Sequence, residues 1–541
     1  MESNQKELVE VDCTRVPYAD TGYFGKIILD YLSDSEQLRP FYHRRPEVAA
    51  FRDQIAEKAQ SYQNRAVLAE AVRSQYSQAK LKSGAIDLLA QEHTFTITTG
   101  HQLCLFTGPL YFFYKIVSAI NTTRVLTEKY PDFNFVPVFW MASEDHDFEE
   151  ANHFYLPSGK IAWESGQTGA VGRMKTENFD HLESILQGHL GVGYRSGELI
   201  DLFRKSYQGH KNLAEATRYL VHALFGHLGV IVIDGDDPKL KSLARNAFKA
   251  ELTEGLSAKA MDETNNSLSQ YYDLQVNARP INLFYLGDQL RERIVKTADG
   301  HFEVVNTHMR FTEQEMCGML ESNPERFSPN VILRGLYQEI ILPNLAYIGG
   351  GGELAYWFQL KEVFKSFNVP FPVLMLRNSA MVVAAELKTQ LDKLQLEISD
   401  LFKPLIEVEN ALARSESKQE LDLEKSRKKL SDLFQEIEGR LRSVDPILER
   451  PAQSGYARVE RILRNLEKKM LRAERHKQEI VLSQFHKVRE ILFPRDGLQE
   501  RNMNFAPMYQ AFGKEFIPLL CQHLDPFDFR FTVLLEKEQA G

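Results

Sequence analysis

The chain has 541 residues, too many for a single hydrophobic core, so roughly two to four domains are expected. With 43% hydrophobic and 26% charged residues it is globular in composition, which excludes wholesale disorder. A formal net charge of −9 argues against a broad nucleic-acid surface, and the four cysteines (Cys13, Cys104, Cys317 and Cys521) form no CxxC pair that would predict a disulfide scaffold or zinc site.

Residues 1–92 carry apolar side chains at three- and four-residue spacing from Tyr23 to Leu32 and from Val48 to Leu89. They are expected to form helices packed on a core, with a break at Pro40 and Pro46. Residues 93–153 read as strand, turn, helix, strand, turn. The apolar run His93 to Thr99 breaks at Gly100-His101-Gln102, and Gly108-Pro109 leads into a helix from Leu110 to about Lys129. A second run, Phe135 to Trp140, ends in Glu144-Asp145-His146-Asp147. This is a βαβ unit whose two loops fall at the carboxyl ends of strands, where open parallel sheets place ligands.

Residues 154–226 are irregular, with a glycine-rich zone from Ser165 to Gly169, and read as an insertion. A third buried strand, Leu228 to Asp234, occupies residues 227–239 and ends in acids, the pattern of a central parallel strand. A second insertion covers 240–330. The second half of the core, 331–378, contains Gly349-Gly350-Gly351-Gly352-Glu353, a helix from Leu354 to Phe367, and a last strand from Pro370 to Leu376 ending in Arg377-Asn378.

Beyond Ser379 a heptad pattern begins with Leu387, Leu391, Leu394, Ile398 and Leu401 and resumes after Leu423. Residues 379–493 are expected to form an antiparallel helical hairpin roughly 80–100 Å long, kinked at Pro404 and reversing near Pro446. Its surplus apolar residues predict a homodimer. The tail, 494–541, carries a β-like run from Phe529 to Leu535 and is expected to fold back on the core.

Three constellations could carry chemistry. Gly100-His101-Gln102 stands where a strand turns into a helix, so that backbone approach, helix start and imidazole could meet an anion; the plainer alternative is a capping turn with an exposed histidine. Lys115 adds a cation, although a lysine on an amphipathic helix is more often solvated. Glu144, Asp145, His146 and Asp147 suit the binding and deprotonation of an amine better than a zinc pattern such as HExxH. The plainer account is an acidic helix start, which covers Glu149 and Glu150 and leaves Asn152 open. Gly349 to Glu353 could close over a substrate with Tyr356, and Arg377 and Asn378 could face the same crevice. The glycine run matches neither dinucleotide nor Walker motifs.

Several segments, in order, resemble a known family: Thr99-Gly100-His101-Gln102, Gly108-Pro109-Leu110-Tyr111, and Phe139 to Glu150 with its Glu-Asp-His-Asp core. Gln275-Val276-Asn277, Ser328 to Arg334, Leu342 to Tyr347 and Phe493 to Arg501 continue the likeness. The family is the cysteine ligase (cysteine-adding enzyme) of bacillithiol biosynthesis. The resemblance implies an α/β fold: a Rossmann-like parallel sheet core with inserted connecting domains and a long antiparallel coiled-coil hairpin used for dimerisation. It implies a cytoplasmic enzyme that adds L-cysteine to the amine of glucosaminyl malate, forming an amide. Comparison with the mycothiol ligase adds ATP and a cysteinyl-adenylate.

On that basis Asp145, His146, Asp147 and His101 are the expected catalytic residues. Gly100, Gln102, Gly108, Glu144, Asn152, Gly349, Gly350, Glu353, Tyr356, Arg377 and Asn378 are the expected substrate contacts. No metal, nucleic acid or membrane is expected. Two rivals stay open: a metal-dependent hydrolase using the Glu-Asp-His-Asp loop, and a coiled-coil scaffold with a vestigial binding core.

Overall fold

The computed structural model describes residues 10–415, 417 and 421–537. Its contacts divide the chain into two units. One comprises the described part of Met1–Ala19 with Tyr23–Met381 and Gly497–Leu534; the other is mainly Val382–Asp496.

The first unit is built around five parallel strands: β1 (Thr94–His101), β2 (Asn134–Met141), β3 (Ile231–Asp234), β4 (Asn344–Gly349) and β5 (Val373–Leu376). Their spatial order is β5-β4-β1-β2-β3. The chain therefore runs outward from β1 through β2 to β3, then returns to the other side of β1 for β4 and β5. The crevice between β1 and β4 is the switch point at which such sheets bind ligands. Register aligns the strand ends: His101 lies beside Met141, Met141 beside Asp234, and Gly349 beside Leu376.

These segments are strands because they are short, rich in Thr, Val, Ile and Phe, and covered on both faces. Helix α1 (Tyr111–Lys129) follows β1, and Ala119 and Leu126 join Phe95, Ile97, Leu345, Ile348, Val373 and Met375 in one core. Burial on α1 extends well beyond one stripe, over 13 of its 19 residues. The sheet covers one side, and the segment after the hairpin covers another. There the Asn121 amide donates to the carbonyls of Cys521 (3.0 Å) and Leu524 (2.6 Å), and Phe113 stacks on Phe505. Thr532 N–H donates to Ser379 O at 2.9 Å, and the tail strand is Arg530–Glu536.

Other local features were not in the sequence reading. Val11–Pro17 is a strand ahead of the N-terminal helices, and Asn344–Gly349 is a full core strand. The second insertion carries five antiparallel strands, among them Leu283–Gly287 and Leu290–Lys296.

The second unit corrects the expected hairpin length. The first arm is broken: a helix ends at Lys393, Gln395 has φ +53°, a short 3-10 turn follows, and Pro404 precedes the helix Leu405–Ser415. Pro404 stands just before a helix, where its missing N–H costs little, so it separates the preceding turn from that helix instead of kinking a continuous rod. Residues 416 and 418–420 lie outside the described residues. The hairpin proper is α2 (Glu424–Val444) against α3 (Glu449–Lys477), about 31 and 43 Å long at ~1.5 Å per residue. Gln453 donates to Glu438 at 3.0 Å, Arg427 pairs with Glu467, and Phe434 meets Tyr456 at 5.7 Å between ring centroids. These partners approach the reversal together, as an antiparallel pair requires.

Candidate active site at the carboxyl ends of the strands

A cavity of about 490 Å³ opens over the carboxyl ends of β1, β2, β4 and β5. Its lining carries charges of both signs.

The acidic wall comes from the loop after β2. Asp145 accepts from the Gln102 amide, and its Oδ1 accepts from His146 N–H at 2.7 Å and lies 3.5 Å from Arg291. Burial raises the Asp145 carboxyl; the Arg291 guanidinium and the Gln102 hydrogen bond outweigh it and leave the group below its ordinary value. Glu144 pairs with Lys241, whose ammonium also donates to the Phe327 carbonyl; burial pushes the Glu144 carboxyl up. Glu150 also lines the cavity. Burial, then the Asp147 and Asp145 charges, raise its carboxyl.

The basic wall comes from α1, β4, β5 and the helix before β4. Lys115 is 2% exposed, which reverses the solvated reading of that residue; it donates to Gly100 O at 2.6 Å and to Glu353 Oε2 at 2.5 Å. Glu353 also accepts from Tyr347 OH at 2.6 Å and from Gly350 N–H at 2.9 Å. Burial raises the Glu353 carboxyl, yet Lys115 and these donors lower it to about 2. The glycine run is thus a helix start closed by its own glutamate. Arg377 stacks over Tyr111, with 4.9 Å to the ring centroid, and donates to Glu500 at 2.7 Å. Arg334 donates to Tyr356 OH at 3.0 Å and to Tyr347 OH at 3.3 Å.

Of the residues expected from the sequence, Gly100, His101, Gln102, Glu144, Asp145, Gly350, Glu353, Tyr356 and Arg377 line this cavity. His101 does so in a different role from the one expected. Its Nδ1 lies 3.0 Å from the Gln102 carbonyl, which can only accept, so Nε2 is the acceptor of the Tyr111 hydroxyl at 2.9 Å. Burial and the Lys115 charge lower its pKa to about 4, so the ring is neutral at pH 7 and both nitrogens are engaged. It holds the floor of the cavity and has no N–H to offer an anion.

Six expected residues do not line the cavity. Asp147 caps the short turn Phe148–Ala151 through Glu150 N–H at 3.2 Å, the acidic-helix-start alternative in its simplest form. His146 is exposed, with Nδ1 accepting from Arg291 at 2.7 Å. Gly108 sits at φ +64°, where a β-carbon would strike Cys104; its carbonyl accepts from Asn504 at 2.7 Å. Asn152 meets His153 Nδ1 through Oδ1 at 3.0 Å. Gly349 O accepts from Arg377 N–H at 2.9 Å, and Asn378 bonds Ser118 and the Asp525 carbonyl. These residues shape the walls from behind.

Cavity residues that the sequence reading did not place in the site include Tyr111, Glu150, Arg291, Arg334, Tyr347 and Arg501. Arg291 comes from the second insertion, and Arg501 from the segment after the hairpin, with no local pattern to connect either to β2. The signal that existed was in α1, where Tyr111-Phe-Phe-Tyr-Lys-Ile-Val has no polar stripe and so predicts a buried lysine. Among the described residues no group of three His, Cys, Asp or Glu side chains is placed to hold a metal ion.

Comparison with known proteins gives a consistent result. Residues 11–378 match the family described as "Bacillithiol biosynthesis BshC, N-terminal Rossmann-like domain", and residues 380–536 match its "C-terminal coiled-coil domain". A Flavobacterium johnsoniae protein named "Putative cysteine ligase BshC" is 42% identical over 97% of this chain and 99% of its own. Proteins of the same name from Christiangramia forsetii and Cytophaga hutchinsonii are 41% and 38% identical, each over 96% of this chain and 98% of its own length.

Proposed function

The chain belongs to the bacillithiol biosynthesis BshC family, and from that premise we propose that it is a cysteine ligase, joining the carboxyl of L-cysteine to the amine of glucosaminyl malate. One observation carries this reading: a single cavity is lined both by carboxylates, Glu144, Asp145 and Glu150, and by guanidinium groups, Arg334, Arg377 and Arg501, besides the paired Arg291 and Glu353. Both proposed substrates carry an amine together with carboxylates, so each finds a partner for both ends.

The division of labour follows from the charges. Asp145, kept ionised by Arg291 and Gln102, anchors the incoming ammonium group. Only a neutral amine attacks a carbonyl carbon, so a proton must leave first. Glu150 lines the same cavity with no cation paired to it among the described residues, whereas Glu144 is held by Lys241, which makes Glu150 the carboxylate suited to receive it. His101 and Tyr111 fix the floor, and Gly350 leaves room beside Arg377. ATP, when bound, would activate the cysteine carboxyl; Arg334 and Arg377 are the residues that would hold its anionic oxygens. Holding two substrates in one crevice supplies the orientation that an intermolecular amide synthesis otherwise lacks.

Mass spectrometry of a strain lacking this chain tests the reading. Bacillithiol is expected to disappear and glucosaminyl malate to accumulate, with both pools restored by the intact gene. Unchanged pools refute the ligase.

We propose in addition that the hairpin pairs with a second copy. Leu433, Ile462 and Leu466, all from the heptad-patterned region, are about half exposed within it. Sedimentation velocity should give a dimer, and Ile462→Glu with Leu466→Glu should shift it to monomer. A wild-type monomer at micromolar concentration would reject this.

A further inference from the structure

Four of the cations at and beside the switch point are paired with carboxylates. Lys115 is matched by Glu353, Arg377 by Glu500, Lys241 by Glu144 and Arg291 by Asp145. Arg334 is different. Its hydrogen bonds go to the Tyr347 and Tyr356 hydroxyls and, at 3.4 Å, to the Gln338 amide oxygen, all neutral. Among the described residues no carboxylate oxygen lies within 4.0 Å of its guanidinium. No carboxylate among them touches this half-buried guanidinium; the Glu353 charge favours it from beyond contact distance while that carboxylate is bonded to Lys115. An anion arriving from outside would therefore meet a cation that no described carboxylate contacts.

A second observation independently marks the same spot. Arg377 is 4% exposed, and its Nη1 and Nη2 are used by Asn378 O, Ser379 Oγ and Glu500. Its Nε is buried without a hydrogen-bond partner. Both arginines border glycines at the strand ends. A β-carbon on Gly100 would lie 3.7 Å from Arg334 Nη1, and one on Gly350 would lie 3.7 Å from Arg377 Nε. The absent side chains leave space beside two donors on either side of the β1–β4 crevice.

We propose that Arg334 and the Nε of Arg377 form a preformed subsite for one anionic oxygen group, carboxylate or phosphate, in the crevice between Gly100 and Gly350. It deepens the ligase reading, because both proposed substrates and ATP carry such groups, but its geometry stands without turnover. Glu500 is the positioning residue: it engages Nη2 while Asn378 O and Ser379 Oγ engage Nη1, which leaves Nε as the donor without a partner.

Titration calorimetry on the full chain, at constant chloride, with L-malate and with inorganic phosphate, tests it. Wild type should bind at least one probe. Arg334→Gln should weaken that binding by about tenfold or more, as expected when a charged hydrogen-bond partner is lost. Arg334→Gln also gives up hydrogen bonds to Tyr347 and Tyr356, so both proteins are titrated well below the melting temperature of the variant. Tighter binding of malate than of phosphate assigns the subsite to a carboxylate, and the reverse order assigns it to a phosphate.

No binding of either probe to wild type, or equal binding by Arg334→Gln, overturns the proposal. So does a variant that melts lower yet binds as well, which would make Arg334 a structural residue. The two proposals fail separately. Unchanged thiol pools in the deletion strain with probe binding lost in Arg334→Gln would sink the ligase and keep the subsite. The opposite pair of results would keep the ligase and sink the subsite.

Discussion

Asn in place of Asp145 is expected to lower the rate of bacillithiol formation by about 10–10²-fold, the range for losing a charge-assisted hydrogen bond to the substrate's ammonium group. The substitution is nearly isosteric, and the new amide oxygen can still accept from His146 N–H, while its NH2 replaces the oxygen that accepts from Gln102. What disappears is the negative charge that Arg291 and Gln102 hold ionised. The measurement is the initial rate of thiol production in extracts of the deletion strain carrying each variant. Circular dichroism should be unaltered, since Asp145 lies in a loop and not in the core. His146→Ala should lower the rate far less, because that ring lies outside the cavity, where it meets Arg291 and the Phe284 ring. A normal rate for Asp145→Asn would remove Asp145 from the mechanism.

Glu353→Gln is expected to produce the largest loss of stability, about 3–5 kcal/mol, because it leaves the Lys115 ammonium buried beside a neutral amide. The pH dependence gives an independent check. The Glu353 carboxyl titrates at about 2 in the folded chain, against an ordinary 4.5. Between those values the unfolded chain binds more protons, so acid destabilises the fold. The stabilisation is fully present above about pH 4.5 and is lost as pH falls toward 2. At ~1.4 kcal/mol per pH unit of displacement it amounts to about 3 kcal/mol, in line with the mutational figure. Urea unfolding followed by tryptophan fluorescence reads the right region, because Trp140, Trp163 and Trp357 all belong to the unit that holds the sheet. An acid slope in Glu353→Gln identical to that of wild type would show that Glu353 carries no such linkage.

The strands β1, β2, β3 and β5 and the helix after β1 were legible because each is a local pattern of apolar residues ended by a turn. β4 was not. Asn344–Gly349 follows a helix with only Leu342 and Pro343 between them, so its apolar run merges with the preceding one. The hairpin was legible as a heptad, but its length was overestimated, since the heptad spacing continues across Gln395 and Pro404 while the backbone does not.

The acidic half of the cavity could be read from the residues after Trp140, because a strand end and its loop are contiguous in sequence. Within that loop, however, sequence did not separate Asp145, which enters the cavity, from Asp147, which turns back to cap a helix. That choice depends on loop dihedrals fixed by Arg291 and Gln102, one distant in the chain and the other on the neighbouring strand's loop. The basic half was even less accessible. Arg334, Arg377 and Arg501 meet because β4 and β5 pack on the far side of β1 and the segment after the hairpin returns over α1. Local pattern is enough to specify an element and the loop that ends it, since hydrogen bonding and apolar spacing act over a few residues. Which charges are buried, which are matched, and which are left to receive a ligand depends on distances between groups up to hundreds of residues apart, and these exist only once the chain has packed.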